Sequence, residues 1–137
     1  MKLVVQVKLL PSPGQAAALE ATLHTCNDAA NWVSAVAHRM ASRRNYDVRR
    51  RTYSEIRSRG IGSQAAQHVI KKVCDAYTTL KANIHAGNLG EPGSRRRVRA
   101  ESEPVTFRPD AAQPYDQRNL SFALDAVRCR CGRSPVG

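Results

Sequence analysis

The side chains best suited to chemistry in this sequence are arginines, which are gathered in two clusters. An arginine guanidinium presents a planar fork of donors that matches the oxygens of a phosphate group. Tyr46 and Tyr53 stand among the first cluster, where an aromatic ring can stack on a nucleobase; Tyr53 can equally belong to a hydrophobic core. The predicted nucleic-acid-binding residues are Arg43, Arg44, Tyr46, Arg49, Arg50, Arg51, Arg57, Arg59, Arg95, Arg96, Arg97 and Arg99.

The net charge of the chain favours the same kind of partner. The 137 residues include 22 lysines and arginines and only 11 aspartates and glutamates, which gives a formal net charge of +11. A single charge run is as often a solvated face as a binding surface. Because two separate runs occur in so basic a chain, we expect a nucleic-acid partner, either RNA or DNA, bound chiefly through phosphates.

Acidic residues, histidines and cysteines give no pattern typical of an active site or a metal centre. A nuclease that uses Mg²⁺ needs several carboxylates around the metal, whereas the aspartates here are scattered. The histidines lack the spacing of a zinc-binding helix, and a single residue separates Cys129 from Cys131, which is too short for a zinc knuckle. We therefore expect no catalytic residue, no metal, no cofactor and no small-molecule substrate, so the chain is predicted not to be an enzyme.

The apolar residues indicate where the chain is expected to reside. No run approaches the ~20 apolar residues that a membrane-spanning helix needs. The apolar N-terminal run is interrupted by Gln6 and Lys8, which is unlike a signal peptide. We expect a cytoplasmic chain with no membrane partner, in which the four cysteines are reduced.

The elements that must position the arginine clusters begin with a strand and a helix start. Val5, Val7 and Leu9 alternate with polar residues, which is typical of a half-buried strand. A helix start follows, with Ser12 as its cap, a proline at the first helical position and Gln15 closing a capping box.

Two long apolar stripes predict helices on either side of the first arginine cluster. One predicts a helix from residue 13 to about 42, and the other predicts a helix from a Ser63 cap to a stop at Gly87 and Gly90. We expect these two helices to pack as an antiparallel pair. Between them only a short amphipathic helix is predicted, over Thr52–Arg59, with Ile56 turned inward.

The region after residue 91 changes character and predicts strands. Val98 stands where a strand can begin, Val105–Phe107 fits a short edge strand between prolines, and Leu120–Leu124 alternates most clearly. The predicted fold class is α+β, with a small β-sheet or partial oligonucleotide-binding-like barrel interrupted by a helical hairpin or bundle insert. We expect the first strand in residues 1–11, the helical lobe in 12–90, the remaining strands in 91–125 and a disordered tail in 126–137.

Three segments resemble one family, the TnpB proteins, which are RNA-guided nucleases encoded by insertion sequences and related to small type V CRISPR effectors. Val7–Gln15 is similar to that family's strand followed by "P-T-x-x-Q", and Cys26–Trp32 is similar to its "C-x-x-x-x-N-W" word. Tyr115–Phe122 resembles the "Y-D-x-R-x-x-x-F" segment that follows the helical insert. The three segments occur in family order over residues 5 to about 125.

The resemblance implies a barrel, the wedge domain, interrupted by a helical recognition lobe. In the family these parts hold the structured guide RNA, the RNA–DNA heteroduplex and a short target-adjacent stretch of duplex DNA. A RuvC-type domain and a zinc ribbon, which do the cutting, lie C-terminal to the segments matched here. The sequence after Asp125 departs from the family's next barrel strand. We therefore expect a truncated N-terminal, nucleic-acid-binding part of a TnpB-like transposon-associated endonuclease, without the RuvC nuclease.

Two other functions fit the same residues. One is a stand-alone basic protein that binds RNA or DNA, such as a regulator. The other is a helical module that binds a protein partner. An intact nuclease reading frame directly downstream would favour the TnpB-like function, and its absence would favour a stand-alone protein.

Overall fold

The computed structural model describes residues 2–116, 118, 120–123 and 128–131. Within them the chain forms four helices and one antiparallel pair of strands, in which Leu120 lies opposite Cys131. No helix among these residues is long and apolar enough to cross a lipid bilayer. In chain order the elements are α1 (Pro13–Arg39), α2 (Asn45–Ser58), α3 (Ser63–His85), α4 (Arg95–Ser102), β1 (Leu120–Ala123) and β2 (Arg128–Cys131).

Helix α1 begins with the capping box that the sequence predicts. Ser12 Oγ accepts the backbone N–H of Gln15 at 3.3 Å, and Gln15 Oε1 accepts the backbone N–H of Ser12 at 2.9 Å. Pro13 occupies the first helical position, where its missing N–H loses no hydrogen bond. The helix ends at Arg39, slightly before the predicted end, because the backbone of Met40 is extended, with a ψ of 145°.

Helix α2 includes most of the first arginine cluster, so the prediction of a helix only from Thr52 is wrong. The helix begins at Asn45. Val48, Thr52 and Ile56 recur every four residues, are all fully buried and define one inward face. Thr52 Oγ1 donates to the Val48 carbonyl at 2.8 Å. Val48 is the apolar residue that extends this inward face towards the N-terminus. In the sequence it directly precedes three arginines, which obscure the helical pattern.

Helix α3 has the predicted span but not the predicted cap. Gly62 is its N-cap residue and makes no side-chain hydrogen bond to the first turn, while Ser63 is already helical. The helix ends at His85, and Gly87 follows with a φ of +76°, a left-handed conformation that glycine adopts without steric cost. The predicted glycine stop is therefore confirmed, and the predicted serine cap is wrong.

Helices α1, α2 and α3 share one core. α1 and α3 run parallel, and not antiparallel as predicted, because Asn27 contacts Lys72 and, further along both helices, Ser34 contacts Tyr77. Two parallel helices need a returning segment, and α2, which packs against both, supplies it. The buried apolar residues are Cys26, Ala29, Ala30, Val33, Ala37, Val48, Ile56, Ile61, Ala66, Val69, Ile70, Val73, Cys74 and Tyr77.

The predicted β-sheet or barrel, and with it the α+β fold class, is wrong, since the described residues are mostly helical. Residues 5–9 form no strand, and their apolar side chains are exposed, by 69% for Val5 and 65% for Val7. Alternation alone does not make a strand, because a strand needs a neighbour to take its backbone hydrogen bonds. The described strands β1 and β2 pair with each other.

The region after α3 also differs from its prediction. Ser94 caps α4 by accepting the Arg97 N–H at 3.4 Å, so the second arginine cluster is helical and no strand begins at Val98. Strand β1 lies inside the segment predicted as the clearest strand. Of the tail predicted to be disordered, the structure describes Arg128–Cys131, which forms β2; positions 126, 127 and 132–137 lie outside the described residues.

Residues 104–111, called the strap below, lie along the groove between α1 and α3. Asn31 holds the middle of the strap, since its Nδ2 donates to the Phe107 carbonyl at 3.1 Å and its Oδ1 accepts the Phe107 N–H at 2.7 Å. About one turn further along α1, Ser34 Oγ donates to the Val105 carbonyl. From α3, Tyr77 Oη accepts the Val105 N–H at 3.3 Å. The segment predicted as an edge strand therefore pairs with helix side chains and not with another strand.

Asn27 anchors the far end of the strap. This side chain is fully buried, and its Nδ2 donates to the carbonyls of Pro109 and Ala111 at 2.6 and 2.9 Å. Lys72 of α3 donates to Asn27 Oδ1 at 2.5 Å, and its Nζ lies 4.9 Å from the centre of the Phe107 ring. The donor and acceptor atoms of the Asn27 amide are thus all used, as burial of an amide requires.

Candidate nucleic-acid interface

The solvent-facing side of α2 carries the first arginine cluster. Because Val48 and Ile56 point into the core, residues about half a turn away point to solvent. Tyr46 and Arg50 lie on this outer side, and Tyr46 is 73% exposed. Residues four apart on a helix have Cβ atoms about 5–6 Å apart. The outer side of α2 therefore presents an aromatic ring and a guanidinium next to each other.

Four arginines in and before α2 neither pair with a carboxylate nor contact another helix or loop through their side chains, among the described residues. They are Arg44, Arg49, Arg50 and Arg51, and all four are exposed. The guanidinium of Arg49 lies 5.8 Å from the centre of the Tyr53 ring, at the outer limit of about 6 Å for a cation–π contact. Because these groups face water and no acid, their charge is available to a phosphate.

Arg57 and Arg59, also predicted to bind nucleic acid, hold other parts of the protein. Arg57 Nη1 donates to the Ile61 carbonyl at 2.8 Å. Arg59 Nε lies 3.4 Å from Glu55 Oε1, and the Arg59 guanidinium lies 4.8 Å from the centre of the Trp32 ring. These contacts fasten the end of α2 to the following loop and to α1.

An open cleft of about 1060 Å³ lies between residues 41–47 and the outer side of α3, and four cations and two carboxylates line it. Asp75 pairs with Lys71, with 2.6 Å between Oδ2 and Nζ. Asp47 accepts the Ser42 hydroxyl. Both acids are therefore engaged. The lining cations without an acid partner among the described residues are Arg43, Arg44 and Lys81.

Arg43 joins the cleft to the core. Its guanidinium carbon lies 4.7 Å from the centre of the Tyr77 ring. Tyr77 is only 4% exposed, and its hydroxyl donates to the Ser34 carbonyl at 3.0 Å while it accepts the Val105 N–H. A single tyrosine thus separates the cleft from the strap.

The second arginine cluster lies on α4, where half of it is paired. Arg97 and Arg99 each bind a glutamate one turn further along, at 2.8 and 3.0 Å. Arg95 and Arg96, in the first turn, have no acid partner among the described residues. They add to the partial positive charge of a helix N-terminus, so positive potential is concentrated at this end of α4.

The structure brings part of the predicted set together and leaves the rest apart. Helix α2 packs in the core, whereas α4 buries no residue. No salt bridge or ring contact joins the two clusters within the part of the chain that the structure describes. The predicted arginines that neither pair with an acid nor hold another segment are called the open arginines below: Arg44, Arg49, Arg50, Arg51, Arg95 and Arg96.

Sequence reasoning missed the cations that α3 adds and the polar side chains that hold the strap. Lys71 and Lys81 line the cleft, but no charge run marks them in the sequence. Asn27, Asn31 and Ser34 follow helical spacing along α1. A polar stripe beside an apolar one is the signal that could have indicated these three residues.

Burial shifts titratable groups of the core towards their neutral forms. It raises the pKa of the Cys26 and Cys74 thiols above the ordinary value and lowers the pKa of Lys72. No group of three or more histidine, cysteine or acidic side chains among the described residues is placed to hold a metal ion. Both buried thiols therefore act as small apolar side chains.

Comparison with known proteins finds no relative of this chain. No protein-family model, no curated protein and no solved structure matches the chain. Its function must therefore be inferred from its own residues and their placement.

Proposed function

We propose that this chain binds structured RNA or an RNA–DNA hybrid through phosphates, as the nucleic-acid-binding N-terminal part of a TnpB-like, transposon-associated, RNA-guided endonuclease in the cytoplasm. In this role it supplies binding and no catalysis of its own. The observation that carries the proposal is the set of open arginines. Exposed like charges on adjacent residues repel one another and do not stabilise the folded chain. We therefore infer that these arginines bind a partner outside the chain.

Two of the TnpB-like segments supply residues that hold the helical lobe together. Asn31, in the second segment, binds the strap. In the third segment, Asp116 Oδ1 accepts the Arg118 N–H at 2.8 Å, and Asp116 Oδ2 lies 3.2 Å from His68 Nε2 of α3. A lobe in which Asn31 and Asp116 make contacts within the fold while the open arginines face outward is suited to the role of a recognition lobe.

Binding through phosphates predicts a steep dependence on salt. Each phosphate that a cation neutralises releases counterions, which contributes about −0.7 to −0.9 to the slope of log K against log salt. Arg49, Arg50 and Arg51 are consecutive and exposed. If each contacts one phosphate, their removal should flatten the slope by about two to three units.

The test compares two triple variants that lose the same charge. The first replaces Arg49, Arg50 and Arg51 by Gln. Affinity for an RNA hairpin and for an RNA–DNA hybrid is measured by fluorescence anisotropy over a series of salt concentrations. The second, the control, replaces by Gln three arginines that already pair with glutamates of the protein, namely Arg59, Arg97 and Arg99. We expect the first variant to bind weakly with a flattened salt slope, and the control to keep most of the affinity and the wild-type salt slope.

Two results would overturn the proposal. One is an equal change of slope in both triple variants, which would show that only net charge matters. The other is a wild-type chain that binds neither nucleic acid at low salt. Far-UV circular dichroism on all three proteins checks that the helices persist, as expected because the replaced side chains lie outside the buried core.

A helical module that binds a protein is the second candidate function, and one observation favours it. Leu3, Val4 and Leu10 are 83%, 83% and 85% exposed, so an apolar segment at the start of the chain faces solvent. Apolar surface of this kind often marks a protein interface. If both triple variants bind nucleic acid as the wild type does, this second function becomes the better one.

A further inference from the structure

Tyr46 is a large aromatic side chain that the core does not use. Trp32, Tyr53, Tyr77 and Phe107 all pack into or against the core, whereas Tyr46 is 73% exposed. Tyrosine is not a strong helix former, so the position gains little from it in helix propensity. An exposed ring offers a flat, polarisable face to a partner outside the chain.

Cations lie on both sides of Tyr46 along the chain. Asn45 and Asp47, the two residues that flank it, line the cleft together with Arg43 and Arg44, so the backbone at Tyr46 lies beside the cleft while its ring faces solvent. Arg49 and Arg50 follow about one turn later on α2. The spacing of about 5–6 Å between Cβ atoms one turn apart is on the scale of a single nucleotide.

We propose that Tyr46 stacks on an unpaired nucleobase whose neighbouring phosphates are held by the arginines on either side. This surface then takes an unpaired, single-stranded stretch of a structured RNA, such as a loop or an end, in preference to a duplex. The inference rests on the proposed function and specifies its ligand. A base inside a duplex exposes only its edges, while an unpaired base offers its face to an aromatic ring. The adjacent carboxylate of Asp47 is already engaged by the Ser42 hydroxyl.

The test uses two oligoribonucleotides of about 12 nucleotides, within the range of about 4–16 that single-strand sites cover. One carries adenine bases and the other is abasic throughout, so both present the same phosphates. We expect the wild-type chain to bind the strand with bases about 5- to 150-fold more tightly, the range for stacking of one base. Tyr46→Ala should remove this preference and leave the affinity and salt slope for the abasic strand unchanged.

Tyr46→Phe is the matched control, because it keeps the ring and loses only the hydroxyl. It should show the wild-type preference for the strand with bases. A Tyr46→Ala variant that keeps the preference would overturn the inference, and so would a Tyr46→Phe variant that loses it. Failure of the proposed function looks different, since the wild-type chain would then bind neither strand.

Discussion

Asn31 holds Phe107 as a neighbouring β-strand would, with one hydrogen bond to its carbonyl at 3.1 Å and one from its N–H at 2.7 Å. A side-chain amide has the same donor and acceptor groups as a peptide unit. It can therefore satisfy the backbone of a non-helical segment where no sheet is present. The asparagine of the TnpB-like "C-x-x-x-x-N-W" word thus serves the fold of this chain.

Asn31→Ala should destabilise the protein, because it leaves the N–H and the carbonyl of Phe107 without their partner. We expect the free energy of unfolding to fall by about 1–3 kcal/mol. Urea denaturation followed by the fluorescence of Trp32, the single tryptophan, measures this. Asn88→Ala is the control, since the Asn88 amide donates to Asn83 on the exposed surface and its loss should change stability by less than about 0.5 kcal/mol. Equal losses in the two variants would contradict the role of Asn31.

Val48 and Val98 both stand among arginines, and truncation should destabilise the protein at Val48 but not at Val98. Val48 is fully buried, whereas Val98 is 49% exposed. Val48→Ala removes two buried methyl groups and should lower the free energy of unfolding by about 2 kcal/mol. Val98→Ala should change it by less than about 0.5 kcal/mol. Thermal or urea denaturation distinguishes the two, and similar values would show that Val48 does not anchor α2.

Substitutions of Arg59 and Arg50 should have different effects, the first on the stability of the protein and the second on its binding of RNA. Arg59→Gln removes the contact with the Trp32 ring and should lower the free energy of unfolding by about 0.5–1 kcal/mol, while the salt slope of RNA binding stays unchanged. Arg50→Gln should keep the stability and flatten the salt slope by about one unit. Denaturation and anisotropy on both variants check this. A flattened slope in Arg59→Gln would place Arg59 among the binding residues.

Asp116 should make the stability depend on pH in the acid range. The backbone N–H of Arg118 donates to its carboxylate and holds the pKa of Asp116 below the ordinary value of 3.8, and His68 acts in the same direction. Near this pH the unfolded chain therefore binds more protons than the folded chain. The free energy of unfolding should fall as the pH drops from about 3.8 through the folded-state pKa.

Asp116→Asn checks this dependence, because its side chain does not ionise. Urea denaturation of the variant over a series of acid pH values should show a shallower decline than denaturation of the wild type. Equal declines in the two proteins would show that Asp116 does not contribute.

The sequence predicts well where its signals are local. The capping box at Ser12 and the glycine stop at Gly87 depend on residues within one turn, and the structure has both. The start of α2 depends on whether Val48 meets a core, which its charged neighbours in the sequence conceal. The predicted strand at residues 5–9 depends on a partner from far along the chain, and alternation cannot supply one.

The candidate site can likewise be predicted in part from local sequence signals, while the rest depends on contacts between distant residues. The residue types and the two clusters are evident from the sequence, and the spacing of four between Arg97 and Glu101 already indicates an ion pair. The contact of Arg59 with Trp32 joins α2 to α1, so only tertiary structure reveals it. Which arginines remain open therefore follows from the charge pattern in α4 and from the packing of the helices in and around α2.

The strap has a consequence for the order of assembly. The strap binds side chains of both helices, Asn27, Asn31 and Ser34 of α1 and Tyr77 of α3. The groove that receives it exists only after α1 and α3 meet. We therefore expect the strap to dock last when the chain folds and to leave first when it opens, so its amides should exchange hydrogen before those of the helices.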